Sequence, residues 1–268
     1  MKKISPSSAK QIQIEVLVHL KKYCEENGIK YFLVFGTLLG AVRENGFIKW
    51  DYDIDVGMIR DDYEKFLEGY CDNESYEILR FNKNGYAGII PKIAKKGTLR
   101  KPNWDKAGTE AFPIGIDIYP FDYVPGNPLS YFMFHFKHRI LVLLHRIKKV
   151  QPAEWRGLYR NVAIKLLKIL IKPINHSAIV DKYHSTCQQY VDNGHRKVRC
   201  LFVPWNKPVS KNDLANRDII KFEGIEFYIP SGYDNWLKQA YGDYMIPPKA
   251  DKQSVLIKKA EEEFTWMA

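Results

Sequence analysis

Residues 31–58 read YFLVFGTLLGAVRENGFIKWDYDIDVGM, and the rest of the chain is interpreted from this stretch. An apolar run, Tyr31 to Phe35, predicts a buried strand that ends at Gly36-Thr37. A short helical segment follows to Arg43 and Glu44, and the chain returns through Gly46 to Trp50. Three carboxylates, Asp51, Asp53 and Asp55, then appear at a spacing of two. A strand over 53–56 would put them on one face and leave Ile54 and Val56 to the other. Carboxylates crowded in this way repel one another unless a cation lies between them, and all-oxygen ligation suits magnesium or manganese. The flanking Phe47, Ile48, Trp50, Ile54, Val56 and Met58 imply partial burial, where an uncompensated acidic cluster would be costly. The plainer alternative is a solvated strand end, because a bare Asp-x-Asp recurs by chance.

With 268 residues, 46% apolar and 14% aromatic, the chain can build one large domain or a domain with an appended subdomain, which excludes a disordered tail. Cys24, Cys71, Cys187 and Cys200 form no Cys-x-x-Cys pair and read as structural thiols of a reducing compartment. The first residues carry lysines but no apolar block, so no secretory signal is expected and the expected location is cytoplasmic. The net charge of +10 is concentrated: from Leu129 to Lys172 ten basic residues stand against one acidic, Glu154.

In chain order, an amphipathic helix starting at Ser7 or Ser8 carries Ile12, Val16, Leu20 and Tyr23 and stops at Asn27-Gly28. A second starts at Arg60. Residues 76–81 and 88–94 read as strands around an Asn82-Gly85 turn, with Lys92 inside the second. Residues 97–114 read as an irregular loop. GIDIYPFD, Gly115 to Asp122, alternates as a strand stopped by Pro120 and presents Asp117, the third carboxylate that a two-cation phosphate-transfer site requires.

Helices are predicted over 131–150, 158–171 and 177–191. Their mixed apolar and basic character fits either ordinary core packing or the surface of an anionic membrane, with no run long enough to span one. His135, His138 and His145 in this region read as packed or solvated rather than metal-binding. A hairpin around Glu223-Gly224, a helix over 233–241 and a charged tail complete the chain.

FGTLLGAVRENGFIKWDYDIDVGM, GIDIYPFD and FEGIEFYIPSGYDNWLKQAYGDYMIPP together resemble the LicD family of phosphoryl transferases, which is related to the fukutin-type enzymes. The resemblance covers about residues 15–122 and 219–250 and is silent on the basic helices between. It implies an α/β (α+β) nucleotidyltransferase-like fold, a mixed sheet flanked by helices. On that basis residues 1–125 form the catalytic core, 126–195 a basic helical insertion, and 196–268 a hairpin and helix completing the core. It further implies a Mg2+ (or Mn2+) site and transfer of a phospho-alcohol, phosphocholine foremost, from CDP-choline or another CDP-alcohol to a sugar hydroxyl of a glycan or glycolipid.

By position, Asp53, Asp55 and Asp117 match the family's metal ligands. Gly36 and Thr37 match its phosphate-facing turn, where a helix start offers free N–H groups. Arg43 and Lys92 match basic positions read as phosphate ligands, with surface salt-bridging as the alternative. Asp51 matches the first acid of the family's run, whereas Tyr52 replaces its usual middle aspartate and Lys49 a usual proline. Asp51 and Asp117 both remain candidates for the proton acceptor, and Trp50, Trp104, Tyr119, Trp205 and Tyr233 are candidate walls for a quaternary ammonium. The basic helices predict peripheral contact with the inner face of an anionic membrane and no nucleic-acid partner. Two other functions use the same features: a nucleotidyltransferase that releases pyrophosphate, and a non-catalytic basic module that binds membrane or RNA.

Overall fold

The computed structural model describes residues 2–101, 111–150, 157–192, 197–203, 207–260 and 263–267. The chain opens with β1 (Lys3–Ile4), α1 (Pro6–Glu26), β2 (Phe32–Leu33), α2 (Phe35–Glu44), β3 (Asp55–Ile59) and α3 (Arg60–Gly69). It continues with β4 (Tyr76–Leu79), β5 (Lys92–Lys95), β6 (Thr98–Lys101) and β7 (Gly115–Tyr123). Three helices, α4 (Pro128–Lys149), α5 (Leu158–Leu170) and α6 (His176–Cys187), precede β8 (Lys197–Arg199), β9 (Val209–Ser210) and α7 (Lys211–Ala215). The chain finishes with β10 (Arg217–Phe222), β11 (Ile225–Pro230), α8 (Tyr233–Tyr241), α9 (Ala250–Ala260) and β12 (Glu263–Trp266).

The central sheet runs β2-β3-β7-β5-β4, with β8 joining β7 and β9 joining β8. β3 and β7 are parallel and the other pairs antiparallel, so this is a mixed sheet flanked by helices, as the α/β expectation has it. The main core gathers α1, α2, α3, both faces of β7 and the β10–β11 hairpin around fully buried Leu17, Phe32, Phe66 and Phe121. A second core lies between α4 and α6 and is built on Phe134, Ile179, Val180 and Tyr183.

The local signals act largely as read. Ser5 caps α1 by accepting the Ser8 N–H at 3.0 Å, slightly ahead of the expected Ser7 or Ser8, and the helix stops at Asn27 with Gly28 at φ +61°. Glu223 and Gly224, at φ +51° and +80°, turn β10 into β11 with both central residues left-handed. His138 and His145 are buried, in keeping with a packed role.

Four expectations are corrected. The strand expected over 53–56 begins only at Asp55, because side chains intercept the backbone before it: Asp51 Oδ1 accepts the Asp53 N–H at 3.3 Å. β7 runs through Pro120 rather than stopping there. The N–H groups of Asp117 and Ile118 point to opposite sides, to Ile54 and Pro91, so position 120 faces the side where β5 has ended and β8 has not begun. A missing donor costs nothing at that gap. Residues 98–101 of the expected loop form β6, and the expected charged tail folds as α9 and β12. These two strands pair with each other, and β12 also pairs with β1.

His138 packs 5.0 Å from the Tyr183 ring, with neither ring nitrogen bonded among the described residues. Burial, aided by His135, Arg199 and Arg139, pushes its pKa down to about 3 from 6.5. The unfolded chain therefore takes up this proton first, and stability that is complete above pH 6.5 is lost as the pH falls toward 3. The slope reaches about 1.4 kcal/mol per pH unit for one such ring. Urea unfolding of His138→Phe between about pH 4.5 and 7.5 is expected to show an acid slope shallower by one proton; an unchanged slope would count against the buried neutral ring.

Candidate active site

The site is built outward from a strained residue. Phe35, at the start of α2, has φ +50°, a region that side chains other than glycine seldom occupy. Its ring is wedged 5.0 Å from Tyr119 and 5.5 Å from Trp236, so tertiary packing holds the backbone there. Gly36 follows. A Cβ on Gly36 would collide with the Asp51 carboxylate, so glycine is what admits that carboxylate to the N-terminal end of α2, where the helix dipole favours negative charge. Thr37 Oγ1 accepts the Asp55 N–H at 2.8 Å and reaches the Asp53 carbonyl at 3.5 Å. The two residues read from sequence as a phosphate cradle are thus both engaged with the aspartate segment.

Three adjacent strands then bring charge into a row. Asp55 of β3 is the direct partner of Asp117 on β7, and Asp117 is the direct partner of Lys92 on β5. Residues so registered share a face of the sheet. The Lys92 ammonium pairs with Asp117 Oδ1, and the Arg100 guanidinium on β6 pairs with Asp53 Oδ1. The Phe112 ring lies 5.0 Å from Lys92 Nζ and 5.9 Å from Arg100 Cζ, within cation–π reach of both. Arg100 was not singled out from sequence, because β6 is recognisable only through its distant partner β12.

The electrostatics follow from this crowding. Burial, then Asp117, Asp53 and Asp51, push the Asp55 carboxyl well above the usual carboxylate range, and it has no ion pair among the described residues. Asp117 is also raised, burial outweighing Lys92. At Asp53 desolvation acts upward, yet Arg100 and Lys92 hold it below its ordinary value, and 46% of its side chain stays open to the cleft. Burial and then Asp53 push Asp51 up to about 6, against the pull of Lys10 and Arg100. Tyr241 of α8 joins the same environment: partial burial and then Asp55 and Asp51 raise its hydroxyl. Nothing in its local sequence marks Tyr241 as a neighbour of these acids.

Beside the row lies a cavity of about 260 Å³. Asp53, Lys92, Arg100 and Asp117 line it, together with the rings of Tyr86, Phe112, Tyr119 and Phe202, and His145 and Lys149 of α4 form part of the wall. Of the aromatic candidates Tyr119 is there, whereas Trp50 and Tyr233 pack on the main core and Trp104 and Trp205 lie outside the described residues. Arg43 sits in the last turn of α2, away from this cavity, with Nη1 donating to the Tyr244 carbonyl at 3.0 Å and Nε to Glu44 at 2.8 Å.

The donor set suits a hard divalent ion in kind, being all oxygen, and the crowding that pushes Asp55 upward is what a bound cation would relieve. Among the described residues no group of three His, Cys, Asp or Glu side chains closes on a common ion position, and Lys92 and Arg100 each pair with one oxygen, Oδ1, of Asp117 and of Asp53.

Comparison with known proteins adds three findings. Residues 28–162 match the family model described as LicD/FKTN/FKRP, nucleotidyltransferase domain. The lipopolysaccharide cholinephosphotransferase LicD of Haemophilus influenzae is 30% identical over 97% of this chain and 99% of its own length. The human ribitol 5-phosphate transferase FKRP is 47% identical over 101 residues, covering 36% of this chain and 18% of its own.

Relief of like-charge crowding gives a test that needs no substrate. In chelated buffer Asp55→Asn is expected to raise the melting temperature by a few degrees. Magnesium or manganese chloride is expected to raise it in the wild type and to do so much less in the variant. Equal metal responses in the two proteins would remove Asp55 from the ion site.

Proposed function

From this chain's membership of the LicD/FKTN/FKRP nucleotidyltransferase-domain family, and its standing as a phosphotransferase, we propose that it moves a phospho-alcohol, phosphocholine foremost, from a CDP-linked donor to a sugar hydroxyl of a glycan or glycolipid. The observation that carries this reading is one cleft lined by Asp53, Lys92, Arg100, Asp117 and four aromatic rings, with Asp55 beside it as the strand partner of Asp117.

Asp53, Asp55 and Asp117 would hold a magnesium or manganese ion, which when bound supplies charge neutralisation on the donor's diphosphate. Lys92 and Arg100, both lining the cleft, add fixed positive charge where the phosphates lie. Gly36 and Thr37 act at one remove, by setting the positions of Asp51, Asp53 and Asp55. The acceptor hydroxyl forms a new bond to the outer phosphorus while the bond to the bridging oxygen breaks, and CMP leaves. Asp117 lines the cavity and Asp51 does not, so the hydroxyl proton is assigned to an oxygen of Asp117. Tyr86, Phe112, Tyr119 and Phe202 offer π faces that favour a quaternary ammonium over a polyol at the alcohol end of the donor.

Release of CMP from CDP-choline, CDP-ethanolamine, CDP-ribitol and CDP-glycerol tests the reading. CDP-choline is expected to be the best donor, and the Asp53→Ala, Asp55→Ala double variant to lose on the order of a thousandfold or more in rate. Pyrophosphate as the product from a nucleoside triphosphate, or activity retained by the double variant, would replace this assignment.

A further inference from the structure

We propose that the exposed apolar face of α4 and α5 is a docking surface for an anionic lipid bilayer, which holds the catalytic cleft against the membrane surface. On α4, Phe132, Phe136 and Leu143 are 61%, 54% and 56% exposed; on α5, Leu166, Ile169 and Leu170 are 57%, 66% and 73% exposed. The α5 residues follow helical spacing, and α5 buries none of its side chains. A folded chain rarely leaves this many large apolar side chains of two neighbouring helices in water.

The charge around that face selects the occupant. Residues 129–172 carry ten basic side chains and one acidic, which complements a surface of anionic headgroups. A second copy of the chain is the poorer fit, since a two-fold contact through this face would set the same cations against one another. No described helix is long and apolar enough to cross a membrane, so α4 and α5 would lie along the interface, with their apolar residues inward and their lysines and arginines at headgroup level.

The placement of α4 ties docking to the cleft. His145 and Lys149 near its C-terminal end wall the carboxylate cavity, while Phe136, Ile140 and Leu143, with Arg139 and Arg146, wall a second cavity of about 320 Å³. Phe202 lines both. An apolar chain leaving the bilayer can therefore enter the second cavity while its polar end reaches past Phe202. This last point rests on the transferase reading above; the docking itself does not.

Flotation of the full chain with vesicles of phosphatidylcholine alone, or mixed with phosphatidylglycerol, tests the surface. The wild type is expected to bind the anionic vesicles at least about tenfold more tightly than the neutral ones, and less tightly as salt rises. The pairs Leu166→Glu, Leu170→Glu and Lys165→Glu, Lys172→Glu are each expected to weaken that binding about tenfold or more without lowering the melting temperature, all four side chains being exposed. Asp53→Asn is expected to float with the wild type, so a failure of docking and a failure of transfer are read separately. Absence of binding to anionic vesicles, binding unaffected by both pairs, or a dimer in sedimentation equilibrium that the leucine pair dissolves would each overturn the proposal.

Discussion

Like-charge crowding governs the architecture around the site. Burial and neighbouring carboxylates raise the proton affinity of Asp51, Asp55 and Asp117, whereas Arg100 and Lys92 hold Asp53 low; Lys92 pairs with Asp117 and Arg100 with Asp53. At Asp55 the pull of Lys92 is outweighed by burial and the other carboxylates. An arrangement of this kind is unstable by itself, and strongly shifted carboxyl groups gathered at a cleft are what a functional site is expected to show.

Much of the fold can be understood as the means of holding that arrangement. Parallel pairing of β3 with β7 sets Asp55 beside Asp117, and antiparallel pairing of β5 with β7 sets Lys92 on the other side. Arg100 is delivered by β6, which is itself held by β12 from the far end of the chain. The β10–β11 turn clamps the segment leading into the aspartates: Glu223 Oε1 accepts the Phe47 N–H at 2.9 Å and the Glu223 N–H donates to the Asn45 carbonyl at 3.0 Å. β7 also shows how parity divides labour. Asp117 and Asp122 are five residues apart and so face opposite ways; Asp122 is fully buried, with Arg60 Nε donating to it at 2.6 Å. The first is available for chemistry, and the second is a buried structural ion pair.

The basic helices are part of the same design. α4 contributes to the second core with Phe134, Leu141 and Val142, to the cleft with His145 and Lys149, and to the exposed apolar face with Phe132 and Phe136. One helix therefore touches the packed interior, the wall of the carboxylate cavity and the outer surface. The position of that surface relative to the cleft is set by helix geometry, without a flexible connection between them.

What the sequence determined by itself was whatever depends on neighbours a few residues away. The start and stop of α1, the left-handed turn at Glu223-Gly224, the spacing of Asp51, Asp53 and Asp55, and the alternation that puts Asp117 on a strand are all readable from local chemistry. Family resemblance was equally legible, since its motifs are contiguous. Tertiary structure alone decided which charges meet. Arg100 and Tyr241 reach the site from segments whose local pattern is a loop and an ordinary amphipathic helix, Pro120 stays within its strand because it faces a gap between two partners, and Gly36 and Thr37 serve the aspartates. The physical reason is common to all of these: an ion pair or a strand register is an interaction between segments distant in sequence, and its energy belongs to the pair rather than to either residue.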